Sequence, residues 1–170
     1  MTEKKRILLI RFMGILPFFI ILIAHYSPLF SLQIGGVSPL SILPLLTAFA
    51  MFETLPAAAI MGLFTGICMD SVSSETVCFH AIFLLVAATA SSLLSNNLFN
   101  KNLQAAAVLS FLLTLIYYLL RWLLFYAFST VITDRFIYLL YIAFPSVLYT
   151  ELFIVPFYFL YRYLEKRKGG

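Results

Sequence analysis

Between Asp70 and His80 the chain gathers a carboxylate, the hydroxyls of Ser71, Ser73 and Ser74, and an imidazole, the functional groups from which a hydrolase is assembled. Aspartate and serine are also ordinary turn residues, and no Gly-x-Ser-x-Gly elbow presents a nucleophile. The cluster therefore reads as a turn at a membrane surface, with His80 an interfacial hydrogen-bonding residue, and no catalytic residue is assigned. Just upstream, Ala58, Gly62, Gly66 and Asp70 recur at four-residue spacing. That spacing puts all four on one helix face, where two glycines let another backbone approach and a carboxylate ends the seam.

Three further charges, Arg11, Arg121 and Glu151, fall where hydrocarbon or its edge is expected. Each costs about 2.5–3.5 kcal/mol at a helix centre unless paired or wet. Counted from the outer helix ends, Asp70 and Arg121 lie at similar depth, so a carboxylate–guanidinium pair between spans three and five is geometrically available. Asp70 reads either as a structural ion pair or boundary cap, or as an interaction or proton-handling site. Glu151 lies deeper. It is expected to hydrogen-bond a hydroxyl such as Thr47; an ion path would need a series of polar residues on its own face. Arg11 is close enough to the membrane edge to snorkel.

The elements that position these groups are membrane helices. With 63% hydrophobic and 11% charged residues among 170, and a mean hydropathy of +1.03, no soluble surface can be assembled. The chain is expected to form one integral membrane domain over residues 1–170, an all-α bundle. Its net charge of +4 marks topology and lipid headgroups, not nucleic acid. Lys4, Lys5 and Arg6, then Lys101, then Arg162, Lys166, Arg167 and Lys168 flank the apolar runs. The positive-inside rule puts both ends and the Lys101 loop in the cytoplasm, leaving Arg135 outside. The first run is read as a retained span and not a cleaved leader. Cys68 and Cys78 belong to no ligand cluster, so neither a metal, a cofactor nor a disulfide is implied.

Six spans are expected, at about 7–26, 39–53, 56–70, 77–95, 104–128 and 136–161. Pro17 is read as a kink in the first, and Thr54 with Pro56 as a cap and early-turn proline restarting the third. Spans two and three, at about 15 residues or about 22 Å each, are short against about 30 Å of hydrocarbon, so four crossings plus a re-entrant hairpin is the alternative. Ala87, Ala88, Ser91, Ser92 and Ser95 give span four a small face, making it the candidate partner of the glycine seam. Trp122, Tyr126, Tyr138 and Tyr141 read as an outer aromatic belt, and Tyr158, Tyr161 and Tyr163 as an inner one.

The run from Gly62 through Gly66 and Asp70 to His80 and Ala81 resembles the signature of the rod shape-determining MreD family: a glycine-rich helix ending in aspartate, a short loop, and a helix opening on a His-Ala-like pair. The basic ends, the six apolar runs and a Gly-x-x-Pro start at Gly36 to Pro39 agree with it. Glycine is common in the family where this chain has Ser74 and Cys78, and an acidic residue often stands where Leu40 does. The resemblance implies a non-catalytic, multi-pass scaffold in the bacterial inner membrane. It would bind MreC and, through it, connect MreB filaments to RodA and its partner transpeptidase in peptidoglycan synthesis. The implied fold is similar to the substrate-binding subunits of energy-coupling-factor vitamin transporters, and such a subunit is the alternative function. The Ala-x-x-x-Ala docking seam of those subunits is missing from span one, whose small residues are Gly14 and Ala24. A second copy of the chain is a further candidate partner.

Overall fold

A computed structural model describes residues 3–26, 39–73, 78–97, 101–126, 141 and 143–169. Ser74, Arg135 and Tyr138 and the side chains of Arg11 and Tyr126 lie outside the described residues, and so do the readings made of them. The helices are α1 (Glu3–Tyr26), α2 (Ile42–Phe52), α3 (Leu55–Val72), α4 (Phe79–Asn97), α5 (Leu103–Arg121), α6 (Phe144–Glu151) and α7 (Ile154–Gly169). A π-helical turn, Trp122–Tyr126, extends α5. There is no strand among the described residues. Four apolar stretches, Leu55–Val72, Phe79–Asn96, Leu103–Leu124 and Phe144–Arg167, are long and apolar enough to cross a membrane.

The expected second span proves to be the core of the bundle. Every residue from Leu40 to Met51 is buried, because α2 has no polar face and its neighbours α1, α3, α4, α5, α6 and α7 surround it. Its 11 residues rise about 16 Å. It starts part-way down the bundle, where the Leu40 amide donates to Thr150 Oγ1 at 3.0 Å, so an amide at the head of a buried helix is satisfied from α6. The third span is longer than its sequence boundaries: 18 residues, about 27 Å. Thr54 does occupy the N-cap of α3 and Pro56 its first turn, but the Thr54 side chain makes no capping bond. Helix α1 runs on through Pro17.

One end of the bundle collects the basic segments. Lys101 Nζ meets Glu165 Oε1 at 3.0 Å and lies over the Phe52 ring, while Ser95 donates to the Met51 carbonyl at 3.3 Å and Ser92 to that of Glu53 at 3.4 Å. The α2–α3 turn therefore sits beside the Lys101 segment. Two members of the expected inner aromatic belt are instead core residues. Tyr158 donates to the Lys101 carbonyl at 2.6 Å and Tyr161 to the Gly14 carbonyl at 2.7 Å, both rings buried, whereas Tyr163 is exposed beneath Arg167. A buried phenol needs a partner, and here it ties a loop and a helix to α7.

Within the expected sixth span, Phe144–Arg167 is one apolar stretch long enough to cross a membrane. Leu152 and Phe153 form a turn between α6 and α7, because Pro156 has no amide to close the helix on the Leu152 carbonyl.

Candidate functional site

The glycine seam of α3 packs against α4, as the paired small faces suggest. A Cβ on Gly62 would lie 2.5 Å from the Leu84 carbonyl oxygen and 2.8 Å from the Ala88 Cβ. A Cβ on Gly66 would run into the Ala81 Cα and stand 2.7 Å from its amide nitrogen. Ala58 continues the seam, fully buried. Only backbones without side chains reach this separation.

Closeness at Gly66 has a chemical consequence one turn later. It brings the start of α4 within reach of Asp70, whose Oδ1 accepts the His80 amide at 3.1 Å and whose Oδ2 accepts the Ala81 amide at 2.8 Å. These are the second and third residues of α4, donors that a helix start leaves without internal partners. The carboxylate from the end of one helix thus caps the next and meets the positive end of its dipole. The same Oδ1 accepts from His80 Nδ1 at 2.8 Å, which leaves Nε2, in the neutral ring, to accept the Tyr117 hydroxyl at 2.9 Å.

Asp70 and His80 are therefore brought together, and the helix they were not assigned to supplies the third member. Both oxygens of Asp70 accept bonds from His80 and Ala81, through an imidazole and two amides. Arg121 itself is half-buried at the end of α5. Tyr117 carried no local signal. It is one of two adjacent tyrosines in an apolar run, and only the placement of α5 against α4 selects it. Chemically, a carboxylate–imidazole–phenol chain orients a ring and shares a proton. The hydroxyls of Ser71 and Ser73 turn to the carbonyls of Ile67 at 2.8 Å and Asp70 at 3.5 Å.

No family model, curated protein or solved structure matches the chain.

Cys78, the residue before α4, has φ 62°, in the left-handed region that costs an L side chain about 1–2 kcal/mol and glycine nothing. Here the turn demands what glycine offers, and the chain supplies cysteine. Cys78→Gly is expected to raise stability by about 0.5–1 kcal/mol, the relieved strain being offset in part by a more flexible unfolded chain. Thermal unfolding in detergent measures it. A lowered midpoint would contradict the strain.

Glu151 is the second candidate. Ser110 Oγ donates to its Oε1 at 2.9 Å, whereas Thr47, the expected donor, bonds the Leu43 carbonyl of its own helix at 2.9 Å. Thr47 lies inside α2, where a backbone carbonyl one turn back is its nearest acceptor. The polar series sought beside Glu151 exists, but on α5: Ser110, Thr114, Tyr117 and Tyr118 share one buried face. Tyr118 hydrogen-bonds Ser146 and Thr150 of α6, and Thr114 Oγ1 is buried with no hydrogen-bond partner among the described residues. Among those residues no three His, Cys, Asp or Glu side chains converge as metal ligands.

Proposed function

We propose that this chain is a membrane scaffold of the MreD type: a six-span, inner-membrane protein with both ends in the cytoplasm, which binds MreC and through it helps couple MreB filaments to RodA-dependent wall synthesis. The observation that supports this most is that the residues carrying the resemblance form one physical unit. Gly62 and Gly66 seat α4, Asp70 caps it at His80 and Ala81, and Cys78 takes a backbone conformation suited to the glycine common there. A signature devoted to zipping two helices fits a protein whose task is to hold others.

The polar groups at this site are used for holding too. Asp70 spends its oxygens on backbone amides and a buried ring, and Tyr117 is itself buried. Basic segments gathered at one end fit cytoplasmic termini.

Copurification from membranes tests this reading. MreC is expected to be recovered with the intact chain, and recovery is expected to fall at least about tenfold in Gly62→Leu, because a leucine there forces two backbones apart. Absence of MreC, or a vitamin recovered at one per chain, would overturn the scaffold reading in favour of a different function. Undiminished capture by the variant would remove the seam from it.

A further inference from the structure

Between α1 and α3, next to the α2–α3 turn, the bundle holds a half-open cavity of about 280 Å³. Its walls are Ile15 of α1, Ala57 and Ile60 of α3 and, on the inner side, the buried Phe49 of α2, and the turn adds Glu53 and Thr54. Polarity is graded along the helix axis. Glu53 and Thr54 lie at the end of the bundle that carries Lys101 and Glu165, Ala57 follows within a turn, and Ile60 lies six residues beyond Thr54, about 9 Å deeper. Ile60 is 67% exposed, so the cavity faces outward from α3 and not into the bundle. One turn past it α1 and α3 meet, where Phe19 and Phe64 pack edge to face with ring centroids 6.0 Å apart. The result is a notch in the outer wall of the bundle, with a carboxylate and a hydroxyl toward the membrane edge and apolar side chains toward its middle.

We propose that this cavity binds one phospholipid with a primary ammonium headgroup, of the phosphatidylethanolamine class, drawn from the leaflet on the basic side of the bundle. The ammonium meets Glu53 and Thr54, and the upper part of an acyl chain lies along Ile15, Ala57 and Ile60. Size narrows the occupants. A cavity of about 150 Å³ holds benzene, so this one takes a segment of an acyl chain, whereas a membrane helix about 10–12 Å across can only lie over the opening. The order of groups matches an amphipath held in a bilayer, polar at the edge and apolar inward. Charge selects the headgroup: Glu53 is the one charged residue of the lining, and a carboxylate attracts an ammonium and repels a headgroup whose only charge is its phosphate. A primary ammonium also has three N–H donors for the carboxylate and the Thr54 hydroxyl, which a choline headgroup lacks. The proposal depends on neither MreC nor the scaffold reading.

Titration of lipids into the delipidated full chain in detergent, read by native mass spectrometry, tests it. One dioleoylphosphatidylethanolamine per chain is expected to bind at least about tenfold more tightly than phosphatidylglycerol or phosphatidylcholine with the same acyl chains, the size of one charged hydrogen bond. Glycerophosphoethanolamine, the headgroup without its chains, is expected not to displace it at equal concentration. Glu53→Gln is expected to erase the preference among headgroups while leaving weaker binding of all three lipids. Ala57→Phe, which puts a ring into the cavity, is expected to lower the binding of all three at least about tenfold; Ile60→Trp, a larger side chain on an exposed position of the same wall, takes its place if Ala57→Phe fails to fold. Equal binding of the three lipids by the unsubstituted chain, or a preference that survives Glu53→Gln, would overturn the proposal. So would undiminished binding in the cavity-filling variant, which would put the lipid elsewhere, or displacement by the soluble headgroup, which would make the ligand a small amine.

Discussion

Gly66→Leu is expected to unfold in detergent at temperatures the unsubstituted chain survives, with a loss of at least about 3 kcal/mol. Overpacking costs about 1–3 kcal/mol where side chains can yield. Here the obstacles are the Ala81 Cα and amide and the His80 carbonyl, backbone atoms that move only if α4 moves. A displaced α4 also carries the His80 and Ala81 amides away from Asp70, so the packing and capping losses come together. Gly66→Ala is expected to show the same sign at smaller size, since its Cβ alone already overlaps Ala81. Gly14→Ala serves as the control: a Cβ there meets only side-chain atoms at 3.7 and 4.0 Å, ordinary contact, and a change within about 0.5 kcal/mol is expected. Equal midpoints for Gly66→Leu and the unsubstituted chain would show that α3 and α4 are not zipped in this way.

Asp70→Ala is expected to have the second large effect, a loss of about 3 kcal/mol. It strips the α4 start of its two capping bonds and His80 of its acceptor, and bonds to a charged acceptor contribute about 1.5–3 kcal/mol where burial limits competition from water. Asp70→Asn recovers little. An amide has one accepting oxygen for three converging N–H groups and turns its own NH2 toward at least one of them. Hydrogen exchange locates the damage: the His80 and Ala81 amides should lose protection first, while α2 amides such as Leu46, in the centre of the bundle, keep theirs. Uniform loss of protection across α2 and α4 would mean that Asp70 supports the whole bundle and not the α4 start.

Much of this architecture is readable from residue spacing. Glycines four apart need a nearby backbone, and the small face of α4 offers one to meet them. Turn residues and basic clusters mark where helices end, because loops need polar partners and cations avoid hydrocarbon. What spacing does not convey is depth and facing. Residues 39–53 have the composition of a lipid-facing span, since an environment of helices and one of lipid tails select the same apolar side chains. Tyr158 and Tyr161 likewise have the composition of an interfacial belt, and their position in the core follows from what α7 packs against.

The same distinction runs through the candidate sites. By itself the sequence determined that Asp70 and Glu151 need partners, because an ionisable group in a membrane span is costly alone. It also determined that Gly62, Gly66 and Asp70 act on one helix face, because a 3.6-residue turn leaves no other arrangement. Only the tertiary structure decided who the partners are. His80 lies ten residues from Asp70, across a turn whose geometry spacing does not specify, and Tyr117 and Ser110 come from α5, a helix whose rotation about its axis is set by packing alone.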